Sequence, residues 1–283
     1  MKNLCFLDGR LLDASAACIS PFDRGLLYGD GVYDVVRVRA GRALHLARHL
    51  ERLRSSLAAV EIPAPAELDA AGERLLAACG LEEGSLFFQV TRGVGTRAPI
   101  PPPDLVPTFL VLPFEQRHPP YGAREMRAVT VADPRWARCD IKSTSLMGAV
   151  LGKLAARRAA VDEVLFVGPD GALREGGSTS LFVGTAAGLL THPLGGRVLP
   201  SLTRERVLAQ AQRLGIRVEE RAAHLAELSG FREAFLCGTL TGVQPLVAID
   251  GQPVGDGQPG EWTRRLAAAC AAEEEALLQT LVR

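Results

Sequence analysis

Three lysines are the only side chains in this sequence with a primary amine, which makes them the first candidates for covalent chemistry. They are Lys2, Lys142 and Lys153, and every other strongly basic residue is an arginine. An amine can form a Schiff base with a carbonyl group if the protein holds it in a suitable place. Lys2 lies near a terminus that is expected to fray, and Lys153 lies on a predicted helix where a solvated charge is usual. Lys142 follows a predicted strand, so the pattern alone leaves it open between a catalytic amine and an exposed charge.

The charge balance indicates a small-molecule partner rather than a polyelectrolyte. The 283 residues include 32 basic and 32 acidic side chains, for a formal net charge of zero. No basic stripe indicates nucleic acid, and no acidic tail indicates a charge-driven partner. The sequence has no apolar run typical of a signal peptide, and no stretch approaches the roughly 20 apolar residues of a membrane span. We therefore expect a cytoplasmic protein without nucleic-acid or membrane partners.

The cysteines are widely spaced and form no CxxC or Cys/His cluster. A chain of this length does not need disulfides, so we expect buried thiols in a reducing compartment and no zinc site. They are Cys5, Cys18, Cys79, Cys139, Cys237 and Cys270.

The first part of the sequence predicts hairpins followed by helices. Asp8-Gly9 lies between two apolar runs, which is the strongest short-range hairpin signal, and the β-rich segment 32–38 is followed by the turn Ala40-Gly41. Apolar residues at spacings of three and four predict a helix with one apolar stripe. This stripe consists of Leu46, Leu50, Leu53, Leu57 and Val60. Arg52 falls off it, so the pattern places Arg52 on the surface. Further predicted elements are a helix over 66–79, strands over 86–91 and 108–112, and a proline-rich loop over 99–103.

The second part is predicted to begin after a linker at 117–122. Predicted strands cover 126–131, 139–142, 164–167, 172–174 and 181–183, with others near 217 and 234 and a hairpin at Asp250-Gly251. Predicted helices cover 146–161, 203–214 and the residues from 261 onward. Strands and helices are mixed without regular βαβ alternation or an internal repeat, which favours two α+β lobes over a doubly wound sheet.

Several segments, in the same order along the chain, resemble the D-amino-acid aminotransferases, members of the fold-type IV pyridoxal-phosphate (PLP) enzymes. The segment Asp133-Pro-Arg-Trp-Ala-Arg-Cys-Asp-Ile-Lys142-Ser and the following run Leu146-Met-Gly-Ala-Val-Leu carry the resemblance. Further matches are Asp23-Arg24-Gly25, Gly29-Asp30-Gly31-Val32-Tyr33-Asp34-Val35-Val36, Phe88-Gln-Val-Thr-Arg-Gly93, Arg97-Ala98, Glu175-Gly176, Leu202-Thr203-Arg204 and Gly260-Glu-Trp-Thr-Arg264. The resemblance spans nearly the whole chain. It implies a two-domain α+β fold with domains 1–118 and 119–283, the second carrying the PLP lysine, and an active site between them.

The resemblance also implies PLP as the cofactor and assigns residues to it. Lys142 matches the Schiff-base lysine, which also shuttles a proton. Glu175 matches the acid partner of the pyridine nitrogen, although the pattern alone equally allows a glutamate near a hairpin. Four residues match the family's phosphate-binding positions, where a phosphate needs a cation, amides at a helix N-terminus and hydroxyl groups. These residues are Arg52, Leu202, Thr203 and Thr239.

Substrate recognition is matched in part. Tyr33 matches a tyrosine at the substrate carboxylate, and Arg97 matches an arginine that family dimers reach across to the neighbouring site. A guanidinium clamp on a carboxylate selects amino acids over simple amines. Pro99 stands where typical D-enzymes have a histidine, and Ser180 replaces the asparagine of the family's Glu-Gly-x-x-x-Asn segment. These departures bear on the substrate rather than on the cofactor.

The resemblance implies ping-pong transamination by a homodimer. A D-amino acid would give its amino group to a 2-oxo acid, 2-oxoglutarate or pyruvate. Two alternatives share the fold. The first is a branched-chain L-aminotransferase, which Arg37 favours and Val35 opposes, because that group has a glycine at the position of Val35. The second is an aminodeoxychorismate lyase, which the run from Thr91 to Arg97 also fits. A two-lobed binding protein without catalysis is the alternative from another class, and the matched amine, acid and phosphate arginine oppose it.

Overall fold

A computed structural model describes residues 1–282, which divide into two compact units. The first comprises Met1–Arg117, Ile141–Ser145 and the residues from Leu277, and the second comprises His118–Asp140 and Leu146–Ala276. Lys142 therefore packs with the first unit, whereas the sequence assigned it to a C-terminal domain over 119–283. The domain boundary itself stays a prediction.

The first unit is built on one antiparallel sheet with helices packed against it. Its strands are β1 (Leu4–Leu7), β2 (Arg10–Asp13), β3 (Gly31–Arg39), β4 (Arg42–Ala43), β5 (Gly84–Thr91) and β6 (Thr108–Glu115), and its helices are α1 (Arg24–Tyr28), α2 (Leu46–Ala59) and α3 (Leu68–Cys79). The strand order is β2-β1-β6-β5-β3-β4, and neighbouring strands run antiparallel throughout.

Local sequence explains the two hairpins of this sheet. Asp8 and Gly9 have φ values of 45° and 83°, and Ala40 and Gly41 have 46° and 68°. Two consecutive residues with positive φ form the type of turn whose twist matches that of the flanking strands. The prediction of both turns is confirmed.

The leucine stripe of α2 forms the core of the first unit. Leu50, Leu53 and Leu57 are buried in one cluster with Val36 of β3 and Phe88 of β5. Burying an apolar stripe on a sheet is what holds an amphipathic helix in place. The stripe fixes the rotation of α2, and with it the direction of the polar side chains on the same helix.

The second unit has a nine-stranded mixed sheet, part of which closes on itself. Its strands are β7 (Met126–Ala132), β8 (Glu163–Val167), β9 (Leu173–Gly176), β10 (Ser180–Thr185), β11 (Gly188–Thr191), β12 (Val218–Glu219), β13 (Glu233–Gly238), β14 (Gly242–Ile249) and β15 (Gln252–Pro253). Its helices are α4 (Met147–Arg158), α5 (Leu202–Arg213) and α6 (Glu261–Val282), of which α6 begins in this unit. The path β10-β13-β14-β7-β8-β9 returns to β10, because Ser180 pairs with Glu175.

The two faces of this sheet bury separate clusters. Leu181 and Leu236 belong to one cluster, whereas their neighbours Phe182 and Phe235 belong to the other. Successive strand residues point to opposite faces, so this division follows from the period of two. The Phe182 and Phe235 rings stack with centroids 4.9 Å apart, and α5 and α6 add Val207 and other apolar residues to their cluster.

Some sequence expectations are wrong. Residues 139–142 were expected to form a strand that ends at Lys142, but Cys139 and Asp140 form a turn and Lys142 lies in a loop. The only strand-like contact there is an isolated bridge between Ser143 and Val32. The sequence analysis also missed α1, β4 and β11, which are short. Cys18 is exposed, contrary to expectation, although the other five cysteines are buried and all six are free thiols.

Among residues 1–282, no helix is both long and apolar enough to cross a membrane. The same residues contain no group of three or more histidine, cysteine or acidic side chains that could hold a metal ion.

Candidate active site

The backbone of Lys142 is fixed by β3 and α2. The Lys142 N–H donates to Ser56 Oγ at 3.2 Å, and the Lys142 carbonyl accepts from the Tyr33 N–H at 2.9 Å. The Lys142 Nζ donates to the Tyr33 hydroxyl at 3.4 Å and lies 4.4 Å from the centre of the Tyr33 ring. An ammonium over an aromatic face is attracted by the ring quadrupole. Lys142 is thus a half-buried amine in contact with a phenol, which is not the setting of a solvated surface charge.

Gly29 lets the Lys142 loop lie close to the turn before β3, and Gly31 lets β3 lie close to β5. A Cβ on Gly29 would lie 2.6 Å from Ser145 Oγ, and Gly29 has a φ of 65°. A Cβ on Gly31 would lie 2.8 Å from the Val90 carbonyl oxygen. The Thr144 hydroxyl donates to the carbonyls of Gly29 and Gly31 at 3.0 and 3.1 Å. The Gly29-Asp30-Gly31 motif therefore serves the packing of this loop.

A buried carboxylate lies beside Tyr33 in sequence and holds two side chains of α2. Asp34 accepts from Arg52 Nε and Nη2, both at 2.8 Å, and its Oδ1 lies 2.7 Å from His49 Nδ1. Asp34 is fully buried, and Arg52 and His49 are buried as well. The expectation that Arg52 lies on the surface is therefore wrong, because a helical wheel does not show a counter-charge supplied by another strand.

Burial and charge act in opposite directions within this group. Burial alone would raise the pKa of Asp34, but the Arg52 charge and the hydrogen bonds from His49 and Arg52 hold it well below its usual range. Burial lowers the pKa of His49, and the hydrogen bond to Asp34 opposes this only in part. His49 is therefore neutral near pH 7 and donates its Nδ1 proton to Asp34.

The sequence analysis assigned no role to Asp34 or His49, although signals for both were present. Asp34 shares the alternation of Val32 and Val36, so it lies on the apolar side of a buried strand. A charge in that position needs a partner. His49 and Arg52 are spaced i and i+3, which places them on one face of α2.

In the second unit, Glu175 is a buried carboxylate on β9. It accepts from Arg135 Nη1 at 2.5 Å and from the Leu199 N–H at 3.1 Å. Arg135 is in turn bonded to Asp133, whose carboxylate also contacts Arg174. Glu175 is therefore fixed by charge as well as by burial.

The other predicted cofactor residues of the second unit lie where hydrogen-bond donors are available. Leu202 and Thr203 open α5, where the first amides have no partner within a helix and attract anions. Ser201 caps the helix by accepting from the Arg204 N–H at 3.2 Å. Thr203 is buried, and Thr239 is half-buried in the turn directly after β13.

Arg97 lies in an exposed loop that a buried arginine attaches to the first unit. The Arg97 guanidinium lies 5.6 Å from the centre of the Tyr28 ring. Arg24 contacts the same ring at 4.6 Å and donates to the carbonyls of Ala98 at 2.7 Å and Pro99 at 3.3 Å. Among the described contacts of the first unit, Lys142 touches Tyr33, and none joins Arg97 to Tyr33 within one protomer.

The comparisons with known proteins agree on one family. The family model "Amino-transferase class IV" matches residues 31–249. A D-alanine aminotransferase from Bacillus licheniformis is 34% identical over 266 residues, covering 93% of this chain and 94% of that protein. The branched-chain amino acid aminotransferase of Thermobaculum terrenum in its PLP form has a TM-score of 0.88 at 22% identity, covering 98% of this chain and 95% of that one. The corresponding enzyme of Thermoproteus uzoniensis with norvaline has a TM-score of 0.86 at 24% identity, covering 98% and 97%.

The chemistry of the donor set fits PLP. The cofactor needs an amine for its aldehyde, an acid for its ring nitrogen, and cations, amides and hydroxyls for its phosphate. Groups of each kind are present among the predicted residues. Lys142 has an amine and Arg52 a guanidinium; Glu175 has a carboxylate, α5 has its first amides and Thr203 has a hydroxyl.

Proposed function

The chain belongs to the class IV aminotransferase family, and we propose that within this family it transfers the amino group of a D-amino acid to a 2-oxo acid such as 2-oxoglutarate or pyruvate. The observation that carries the proposal is the sequence identity to a D-alanine aminotransferase, 34% over nearly the full length of both chains. The identity to the two branched-chain enzymes of the same fold is lower, at 24% and 22%. The PLP-dependent fold and cofactor expected from the sequence are confirmed by the family match.

We propose that Lys142 is the catalytic amine. PLP, when bound, acts as an electron sink that makes the Cα proton of an amino acid acidic. Lys142 Nζ then moves this proton away from Cα as a general base and returns it as a general acid. The Tyr33 hydroxyl, 3.4 Å from Nζ, orients the amine. Ping-pong kinetics follow, since the first product leaves before the second substrate binds.

We propose that Arg52, Glu175, Leu202, Thr203 and Thr239 make the remaining cofactor contacts. Arg52 supplies a buried cation for the phosphate, and its pairing with Asp34 fixes the guanidinium in one orientation. The start of α5, with Leu202 and Thr203, and the turn at Thr239 supply amide and hydroxyl donors. Glu175 holds the proton of the pyridine nitrogen.

For the substrate carboxylate, we propose a clamp that needs a second copy of the chain. Tyr33 would act in its own protomer and Arg97 in the site of the partner. Exposed apolar side chains near the Arg97 loop support a homodimer, because large apolar residues that cluster at a surface mark interaction sites. They include Phe22, Leu26, Val94, Ile100 and Val106, of which Ile100 is 84% exposed.

The substrate is tested by incubating the holoenzyme with 2-oxoglutarate or pyruvate and single enantiomers. D-alanine, D-leucine and D-glutamate are compared with their L-forms, and the 2-oxo acid product is measured. Turnover of D-alanine well above L-leucine is the expected result. Turnover of L-leucine alone would indicate a branched-chain enzyme, and pyruvate release from aminodeoxychorismate would indicate the lyase.

The dimer is tested by complementation between Lys142→Ala and Arg97→Ala, assayed at a D-alanine concentration so far below the KM of Arg97→Ala that neither variant alone shows measurable turnover. A mixed dimer of Lys142→Ala and Arg97→Ala chains contains one site with Lys142 from one copy and Arg97 from the other. We expect co-expression to restore activity toward one quarter of the wild-type level, since half of the dimers are mixed and each has one intact site. If Arg97 acted within its own protomer, the mixed dimer would regain nothing.

We also propose a cytoplasmic location. Six cysteines without a disulfide are typical of a reducing compartment, where disulfides are rare. Cell fractionation with an antibody to the protein tests this location directly.

A further inference from the structure

A series of ion pairs in the second unit ends on Glu175. Arg174 Nη1 lies 2.7 Å from Asp133 Oδ2, Arg135 Nη2 lies 2.9 Å from the same oxygen, and Arg135 Nη1 lies 2.5 Å from Glu175 Oε1. These four side chains have exposed fractions of 13% or less. The charges of the two cations and two anions sum to zero, so burying the group together costs less desolvation free energy per side chain than burying any one of them alone.

Arg135 is held in one orientation from several sides. Its Nε and backbone N–H both donate to Asp133 Oδ1 at 3.0 Å, and its Nη2 donates to the Arg197 carbonyl at 3.4 Å. The guanidinium lies 4.3 Å from the centre of the Phe166 ring. A Cβ on Gly148 would lie 2.9 Å from Arg135 Cγ, so α4 packs directly against the arginine stem.

The charge of Arg135 is secured by its partners. Burial alone would lower the pKa of Arg135, but the hydrogen bonds to Asp133 and the charge of Glu175 raise it above its usual value. Arg135 makes two side-chain hydrogen bonds to Asp133 and one to Glu175. Arg135 therefore bridges the two carboxylates, and its cation lies directly against Glu175 Oε1.

We infer that Arg135 is a positioning residue that keeps Glu175 ionised and oriented, so that the proton between Glu175 and the PLP ring nitrogen stays on the nitrogen. The inference rests on the proposed role of Glu175. A cation in direct contact with a carboxylate oxygen lies closer to that oxygen than to the group held by the carboxylate. It therefore stabilises the carboxylate more than it opposes a proton on the nitrogen.

The experiment uses holoenzyme loaded with PLP that is isotope-labelled at the ring nitrogen. The NMR chemical shift of this nitrogen distinguishes its protonated form from its neutral form. Arg135→Gln is compared with wild type and with Glu175→Gln. Arg206→Gln is the matched control, because Arg206, on α5, is another half-buried arginine of this unit that pairs with carboxylates. Thermal unfolding of each variant without cofactor reports on stability separately.

We expect the ring nitrogen to be protonated in wild type and in Arg206→Gln. In Arg135→Gln we expect the ratio of protonated to neutral nitrogen to fall by about 10- to 1000-fold, the effect of removing an opposite charge at this distance. The rate of the half-reaction with D-alanine should fall in parallel, with the dissociation constant of PLP changing less. A fall in stability alone, with a wild-type nitrogen signal, would overturn the inference.

The outcomes separate this inference from the proposed role of Glu175. A wild-type signal in Glu175→Gln means that Glu175 does not hold the nitrogen. A shifted signal in Glu175→Gln with a wild-type signal in Arg135→Gln overturns the role of Arg135 alone, and so does an equal shift in Arg206→Gln. If Arg135→Gln does not fold, Arg135→Lys is measured instead. Lysine keeps the charge but lacks the planar fork that bonds Asp133 and Glu175 together, so an intermediate signal is expected and a wild-type signal overturns the inference.

Discussion

Replacing Asp34 with asparagine tests how the phosphate arginine is held. Asp34 is fully buried and makes three short contacts to side chains of α2, at 2.7 Å to His49 and 2.8 Å twice to Arg52. Asparagine keeps the shape and one acceptor oxygen but removes the charge, which leaves the Arg52 guanidinium buried without its counter-ion. Breaking a buried pair by removing one partner costs about 3–5 kcal/mol of stability. We expect a loss of this size in the free energy of unfolding of the protein without cofactor.

The assay is chemical denaturation of wild-type and variant proteins without PLP, followed by circular dichroism. The matched control is Asp69→Asn, which removes the partner of Arg54 on the same helix. That pair is largely exposed, and exposed pairs contribute about 0.2–1 kcal/mol. If Asp34→Asn cost no more than Asp69→Asn, Asp34 would not be what balances Arg52, and the account of this group would be refuted.

The remaining predictions concern pH and the substrate loop. The pKa of His49 is lower in the folded protein than in the unfolded chain, where it is about 6.5. As the pH falls below that value, the unfolded chain binds the proton more readily than the folded protein, so the stability that neutral His49 contributes is lost. The free energy of unfolding of the wild-type protein without cofactor should therefore fall, through this residue, by up to about 1.4 kcal/mol for each pH unit below 6.5. His49→Gln should lack this part of the pH dependence, and equal slopes in the two proteins would contradict the prediction. Arg24→Gln should raise the KM for D-alanine several-fold with PLP affinity unchanged. Arg92→Gln also removes a bond to Asp30, but its other bonds go to the carbonyls of Val60 and Glu61 and none goes to the Arg97 loop, so it should leave this KM unchanged. Arg97→Ala should raise the same KM further and also spare PLP binding, and loss of the cofactor would show that Arg97 lies elsewhere.

Local features of the fold were predictable because their causes lie within a few residues. The Asp8-Gly9 turn requires positive φ at both positions, which the sequence supplies directly. The stripe Leu50, Leu53, Leu57 predicts both the helix and its buried face. These elements depend on neighbours in sequence, so a single chain is enough to find them.

Features that depend on distant partners were not predictable from the residues alone. The segment ending at Lys142 was expected to be a strand, but it is held as a loop by Ser56 and by the backbone of Tyr33. Arg52 was placed on the surface because its partner, Asp34, lies on another element. In both cases the deciding contact joins residues that are far apart in sequence.

The residues of the candidate site also differ in whether they could be predicted from the sequence. Resemblance to a family brought Lys142, Glu175 and Arg52 forward as a set, because it compares whole chains rather than local patterns. It assigned no role to Arg135, which contacts Glu175, or to His49, which contacts Asp34. Their signal is physical: a buried charge requires a partner, and the partner becomes visible only once the chain is folded.

The most direct test of the central claim identifies the lysine that bonds to PLP. The holoenzyme is treated with borohydride, which fixes the cofactor on its amine, and the protein is digested and analysed by mass spectrometry. With three lysines in the chain the result is unambiguous. We predict that the pyridoxyl group is found on Lys142, and that Lys142→Ala loses the visible absorption band while Lys153→Ala, which removes only the partner of Glu163, keeps it. Labelling of Lys2 or Lys153, or a visible band that survives in Lys142→Ala, would contradict the account.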